Sequence, residues 1–315
     1  MSDILFIKTS SLGDVIHHMP AVTEAKRHRP DARIVWVVEE NYAPLAALHP
    51  AVAEVIPVAV RRWRRRFFLW SSWRDAKNFI AKLRARTYDA IIDTQGLARS
   101  AFIARIARGK RHGYHADSVR ERVAAFAYNV QHSVPRTDHA IARNRALTGL
   151  ALGYTVEGAP DFGLDRNKLS GVARTPYAIF LHATAQKVKE WPEENWLALA
   201  KALEGKTGLL LPFGSQPEKA RAERLASQLN NTRVPIGRAI DDMARMIAGA
   251  SFVVGVDTGI LHLAAALGVP LVGIFCGSEP SLTGPVGPGR IEVVGGKGVV
   301  PSVEHVLAAV ARVTA

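Results

Sequence analysis

The sequence predicts an α/β protein of two doubly wound parallel-sheet domains facing a central cleft, and three observations lead there. Short apolar segments of strand character alternate with segments of helical spacing through both halves of the chain, the pattern of parallel strands joined by crossover helices. At 315 residues the chain is long for one core and comfortable for two of roughly 150 residues each. A stretch rich in turn formers, with Gly158, Pro160, Gly163, Gly171 and Pro176, separates the halves. The reading therefore places one domain at 1–155, a linker at 156–176 and a second domain at 177–315.

In the first half, Ile4–Lys8, Arg33–Glu39 and Tyr88–Thr94 read as buried strands, and Pro20–Arg29 and Trp73–Arg86 as helices. Pro20 suits a first helical turn, where a missing N–H costs nothing, so Asp14 to Met19 reads as a connecting turn. Residues 43–60 are apolar but carry Pro44, Pro50, Pro57, His49 and Glu54, which favours loops and a short strand over a membrane span. In the second half, Ala178–His182, Leu209–Pro212, Phe252–Val256, Leu271–Phe275 and Ile291–Val294 read as strands. Asn195–Leu203, Pro217–Leu229 and Ile240–Ala248 read as helices. A final helix, Val303–Val313, closes the chain and is a candidate to pack back on the first domain. No solenoid repeat is apparent.

Composition is that of a folded soluble protein, 48% hydrophobic and 22% charged, with nothing of a disordered chain. A single cysteine, Cys276, forms no internal disulfide and fits a reducing compartment. Met1-Ser2-Asp3 lacks a basic n-region, so no secretory signal is expected. Charge is more informative. Residues 1–150 hold 25 Lys and Arg against 13 Asp and Glu, whereas residues 151–315 hold 16 against 15. Nearly all of the +13 net charge therefore lies in the first half, which points that half at an anionic partner.

Four segments can carry chemistry. After the first strand, Thr9-Ser10-Ser11-Leu12-Gly13 runs to Asp14. Ligands of open α/β sheets bind at carboxyl ends of strands, and a carboxylate there can take a proton from a substrate hydroxyl; it can equally cap a helical turn. After Phe252–Val256, the turn Asp257-Thr258-Gly259 enters a helical run containing His262. Free N–H groups at that helix start suit a diphosphate. Asp257 is there an N-cap or a ligand-positioning group, and His262 reaches the same anion or packs. After His182, the loop Ala183-Thr184-Ala185-Gln186-Lys187-Val188-Lys189 offers a hydroxyl and ammonium groups to phosphate oxygens, or is a solvated surface loop. After Leu209–Pro212, a Gly-containing loop leads to Glu218, placed to hold a ribose diol or to open a helix favourably.

The run Arg61-Arg62-Trp63-Arg64-Arg65-Arg66-Phe67-Phe68-Leu69-Trp70 interleaves arginines with aromatics, which suits phosphates, a bilayer interface or stacked bases. Gly-x-Gly-x-x-Gly, Walker A, Asp-x-Asp and zinc-type Cys/His spacings are all missing. No metal ligand set is expected.

Taken in order, Lys8-Thr9-Ser10-Ser11-Leu12-Gly13-Asp14-Val15, Asp93-Thr94-Gln95-Gly96-Leu97, His139-Ala140-Ile141, His182-Ala183-Thr184 with Trp191-Pro192, and Val256-Asp257-Thr258-Gly259 with His262 resemble the lipopolysaccharide heptosyltransferase family over nearly the whole chain. The Lys-Thr-Ser-Ser-Leu-Gly-Asp run favours its heptosyltransferase I branch. The resemblance implies a GT-B fold of two Rossmann-like domains, the first binding the acceptor and the second the nucleotide sugar. It implies metal-independent, inverting transfer of L-glycero-D-manno-heptose from ADP-heptose to a Kdo residue of Kdo-lipid A. ADP-heptose is then a co-substrate, and no cofactor is implied.

Carried over residue by residue, Asp14 matches the general base, and Thr184, Ala185, Lys189, Glu218, Asp257, Thr258, Gly259 and His262 match donor positions. Ala185 departs from the pattern, where a second hydroxyl residue is familiar. Ser10, Arg61, Arg62, Arg64 and Arg120 are the expected acceptor contacts. The expected setting is cytoplasmic, peripheral to the inner membrane, without nucleic acid. The alternatives are a related transferase using another nucleotide-linked sugar, or a basic nucleic-acid-binding protein using Arg61–Trp70.

Overall fold

The structure is a computed structural model that describes all residues except 1, 67, 172–174 and 237–238. It divides into two compact units, Met1–Gly163 and Leu164–Ala315. The first holds β1 (Asp3–Ile7), β2 (Arg33–Glu39), β3 (Val52–Val58), β4 (Thr87–Asp93), β5 (Arg108–Tyr114) and β6 (Val130–His132). These form one parallel sheet in the order β3-β2-β1-β4-β5-β6. The second holds β7 (Tyr177–Leu181), β8 (Gly208–Leu210), β9 (Thr232–Arg233), β10 (Phe252–Val256), β11 (Leu271–Phe275) and β12 (Ile291–Gly295). Its order, β12-β11-β10-β7-β8-β9, repeats that topology. Each sheet reverses strand order once, at β1/β4 and at β7/β10, and such switch points are where doubly wound folds bind ligands.

Both faces of the first sheet are covered, as a parallel sheet requires. Side chains alternate along β1, so Leu5 and Ile7 join Val35, Val37, Ile91, Phe79, Leu83 and Ile103 in one core. Phe6 faces the opposite side, with His18 at 4.9 Å between ring centres. In the second unit, Phe180, Trp191 and Trp196 pack with Val254, Ile274, Val306 and Val310. The closing helix, Val303–Thr314, thus seats its apolar face in the second unit's own core.

Several local readings change. Asp14 lies inside a short helix, Leu12–Ile16, where a connecting turn was expected; the helix expected at Pro20–Arg29 follows as Met19–His28. Ser11 has extended backbone and starts the helix, and Asp14 is the first-turn acid that complements it. The expected helix at Trp73 starts earlier, at Trp70. β5, β6 and the helices Ala98–Ile106 and Ala140–Leu152 are additional to the sequence reading.

The segment read as a linker is tied at both ends. Arg145 Nη2 donates to the carbonyls of Glu157 and Gly158 at 2.8 and 2.9 Å, while Arg166 donates to those of Ala248 and Ala250 at 2.8 and 2.7 Å. Part of that segment, 172–174, lies outside the described residues. Among the described residues, no helix is long and apolar enough to cross a membrane.

Candidate active site

At the first switch point, β1 delivers Lys8, Thr9 and Ser10, and β4 delivers Thr94 and Gln95. Gln95 Oε1 accepts from the backbone N–H groups of Thr9 and Ser10 at 3.0 and 3.1 Å, so one buried side chain fixes the loop that leads to Asp14. Gln95 is itself set by a turn in which Asp93 Oδ1 accepts from the N–H groups of Gln95 and Gly96. Gly96 takes a φ of +64° there, a left-handed conformation that glycine adopts without strain. Asp93 is fully buried and accepts from the Tyr128 hydroxyl at 2.8 Å. Burial pushes its carboxyl upward, and those hydrogen bonds oppose the shift.

Asp14 has two differently engaged oxygens. Its Oδ2 accepts from Ser11 N and Ser11 Oγ at 2.9 and 3.0 Å; its Oδ1 lies 3.8 Å from Lys8 Nζ. Capping and catalysis are therefore compatible, since the cap occupies only one oxygen. The Asp14 side chain is 29% exposed, enough to meet a substrate, whereas that of Lys8 is 6% exposed. Lys8 Nζ donates to Thr94 O at 3.0 Å and to Asn144 Oδ1 at 3.5 Å. Burial lowers the Lys8 pKa, the carboxylates of Asp14 and Asp93 counter it, and Arg143 and Arg120 reinforce it.

Of the expected acceptor contacts, Ser10 is buried at this switch point and its Oγ accepts from Arg99 Nη2 at 2.9 Å. Arg120 is exposed and close enough for its charge to act on Lys8. Arg61 and Arg64 are exposed on the helix Val60–Arg65 beyond β3. Arg62 of that helix is held by Glu40 at 3.1 Å and Asp75 at 2.8 Å, so its guanidinium braces this corner of the fold. Trp63 packs on Phe79 at 5.7 Å, Phe67 lies outside the described residues, and Phe68 and Trp70 are 85% and 81% exposed.

At the second switch point, Asp257 is the hub. Its backbone carbonyl accepts from Thr184 Oγ1 at 2.9 Å, and its Oδ2 accepts from Lys189 Nζ at 2.7 Å and Ser278 Oγ at 2.5 Å. Thr258 starts the helix Gly259–Ala266 without a side-chain cap bond; Leu261 N donates to Thr258 O at 3.0 Å, and the preceding N–H groups of Gly259 and Ile260 form the end of the helix that suits an anion. His262 is buried within that helix. The expected residues Thr184, Lys189, Asp257, Thr258, Gly259 and His262 are thus assembled, and Ala185 sits exposed on the same loop.

Glu218 lies apart from that hub. It occupies the first turn of the helix Gln216–Ala226, accepts from Gly214 N at 2.6 Å, and lines a pocket of ≈ 580 Å³ with Ala183, Lys187, Trp191 and Arg221. Pocket and hub share the 183–190 loop. Arg221 steadies that loop from below, bonding Trp191 O at 2.7 Å and Glu190 at 3.2 Å.

Sequence reasoning passed over Arg99, Asn144, Ser278 and Arg221 as site residues, and quoted Lys8 in a motif without giving it a task. Their partners are distant in sequence: Lys8 meets Asn144 across 136 residues, and Ser278 meets Asp257 across 21. Gln95 and Thr94 stood in a quoted motif, but their task as struts for the Asp14 loop emerges only from the pairing of β1 with β4.

Comparison with known proteins agrees with this layout. Residues 76–306 match the family model described as glycosyltransferase family 9 (heptosyltransferase). Lipopolysaccharide heptosyltransferase 1 of Pseudomonas aeruginosa is 43% identical over 296 residues, covering 92% of this chain and 83% of that protein. The structure of E. coli heptosyltransferase WaaC with ADP superposes with a TM-score of 0.93 at 36% identity, covering 98% of this chain and 99% of that one. The same enzyme with ADP-2-deoxy-2-fluoro heptose gives 0.89 at 37% identity with the same coverage. The two parallel six-stranded sheets are accordingly those of a GT-B glycosyltransferase, and the chain belongs to glycosyltransferase family 9, the heptosyltransferases.

Proposed function

We propose that this enzyme transfers L-glycero-D-manno-heptose from ADP-heptose to a Kdo residue of Kdo-lipid A, with inversion and without a metal ion, at the cytoplasmic face of the inner membrane. The reading is carried by the division of labour at Asp14. A carboxylate with Oδ2 tied to Ser11 and Oδ1 left toward Lys8 is oriented to accept one proton from a sugar hydroxyl.

In the proposed step, the acceptor hydroxyl oxygen bonds to the anomeric carbon of heptose as its proton passes to Asp14 Oδ1. The bond from that carbon to the ADP oxygen breaks, and ADP leaves with the electron pair. A single displacement inverts the anomeric centre. Charge developing on the diphosphate is met by the Lys189 ammonium and the N–H groups at Thr258–Gly259. Lys189 bonds Asp257 at 2.7 Å, so Asp257 positions it at the proposed phosphate subsite. Glu218 in its pocket suits a ribose diol. The acceptor's phosphates and carboxylates suit the strongly basic first half, with Ser10, Arg61, Arg64 and Arg120 as contacts. Exposed Phe68, Leu69 and Trp70 beside Arg64–Arg66 suit the interface where a lipid-linked acceptor sits.

Mass spectrometry and NMR of the product from ADP-heptose and Kdo-lipid A test the proposal. The expected product carries one added heptose with inverted anomeric configuration, formed at an unchanged rate in chelator. Transfer of a different sugar in preference, a retained anomer, or activity abolished by chelator and restored by Mg²⁺ each contradicts a stated part.

A further inference from the structure

Phe102, Val123 and Phe126 are 66%, 60% and 86% exposed, an apolar cost in water that none of the steps above uses. They lie on two elements packed side by side, the helix Ala98–Ile106 and the 3₁₀ segment Arg122–Ala127. On the helix, Arg99, Phe102 and Arg105 are exposed at helical spacing and share one face. On the 3₁₀ segment, residues three apart eclipse, so Val123 and Phe126 stand on one face; the side chain of the neighbouring Arg122 is 82% exposed. The acids nearby are engaged: Glu121 Oε2 accepts from Ala98 N at 2.7 Å, and Asp117 lies 3.4 Å from His115 and 3.9 Å from Arg122. The result is an apolar ridge flanked by exposed Arg99, Arg105 and Arg120.

We propose that this ridge is a second membrane-docking element, inserting Phe102, Val123 and Phe126 into an anionic lipid leaflet while Arg105 and Arg122 pair with headgroup phosphates. Charge complementarity selects that occupant, because apolar side chains ringed by arginines match an acyl boundary beneath anionic headgroups. Position supports it as well. The ridge follows β4 and β5, the Arg61–Trp70 segment follows β3, and the β1/β4 switch point lies between them in the sheet. By strand spacing the two elements stand roughly 20 Å apart. Two anchors on either side of Asp14 fix its height and tilt over a lipid surface, which one anchor cannot do. The inference rests on the proposed membrane-borne acceptor, and it adds a surface that the arginine-rich run does not contain.

The test is vesicle co-sedimentation of the full chain on mixed phosphatidylcholine and phosphatidylglycerol vesicles, alongside heptose transfer to a deacylated, water-soluble Kdo acceptor. Phe102→Ser with Phe126→Ser is expected to weaken vesicle binding by about tenfold or more, with soluble-acceptor turnover within about twofold of the parent. Phe102→Leu with Phe126→Leu, which keeps an apolar ridge, is expected to retain binding. Arg105→Glu with Arg122→Glu is expected to abolish the preference for anionic over neutral vesicles. Unchanged vesicle binding in the serine variant overturns the proposal, as does tighter, salt-dependent binding of an oligonucleotide that the same substitutions abolish. Intact soluble-acceptor turnover beside unchanged vesicle binding removes the ridge and leaves the transferase reading standing; absence of turnover in the parent removes the transferase reading itself.

Discussion

Asp14→Asn separates the two tasks of this residue. Asparagine keeps an oxygen that accepts from Ser11 N and Oγ, which Oδ2 does at 2.9 and 3.0 Å, but it cannot take a proton at catalytic pH. Loss of a general base costs about 10²–10⁴ in rate, which is about 3–5 kcal/mol of transition-state stabilisation. Stability changes for a different reason. Lys8 Nζ loses a carboxylate 3.8 Å away, a gross attraction of about 4 kcal/mol at an effective permittivity of about 20. The 29% exposure of the Asp14 side chain screens that attraction, and losing the carboxylate moves the already lowered Lys8 pKa further down. A net loss of about 1–2 kcal/mol is expected for Asp14→Asn, and about 1 kcal/mol more for Asp14→Ala, which also removes the cap. The assay is single-turnover heptose transfer at saturating donor, run beside urea unfolding. Both variants should fall in rate by the same factor while differing in stability. Near-parental turnover in a folded Asp14→Asn protein refutes the base assignment; a rate loss in Asp14→Ala alone assigns Asp14 to capping.

Other outcomes follow from the same geometry. Gln95→Ala strips the acceptor from two N–H groups of the Thr9–Ser10 loop and should cost about 1–3 kcal/mol of stability, read by denaturant unfolding, together with a lowered kcat. Ser278→Ala removes one of two donors to Asp257 Oδ2; the KM for ADP-heptose should rise about fivefold, the equivalent of about 1 kcal/mol, with kcat less affected. His49 and His182 are buried and held down to about 4 by desolvation. Their folded values lie below the unfolded value of about 6.5, so the unfolded chain binds more protons between those limits. Stability should then be complete above pH 6.5 and fall as the pH drops toward 4, by about 2 kcal/mol per histidine at pH 5. Equal unfolding midpoints at pH 7 and pH 5 would contradict this.

The chain by itself determined the strands of the two sheet centres and the loops leaving them. β1, β2, β10 and β11 are continuous apolar runs because a parallel sheet buries both faces, so they announce themselves locally. The site loops were legible for a related reason: small residues, a carboxylate and turn formers at a strand end form a local pattern, and their order along the chain carried the family resemblance. β5 gave no such signal. Its sequence, Arg108-Gly-Lys-Arg-His-Gly-Tyr114, is charged because only its last three residues are buried, and its place between β4 and β6 is set by its neighbours. Tertiary structure alone decided that Lys8 lies beside Asp14, that Gln95 braces the loop before it, and that Asp257 gathers Thr184, Lys189 and Ser278. It likewise decided that Phe102 and Phe126, unremarkable singly in the sequence, share one exposed ridge. Local sequence encodes periodicity and turn chemistry, whereas these groupings join residues up to 86 positions apart and exist only once parallel strands bring their carboxyl ends to one edge.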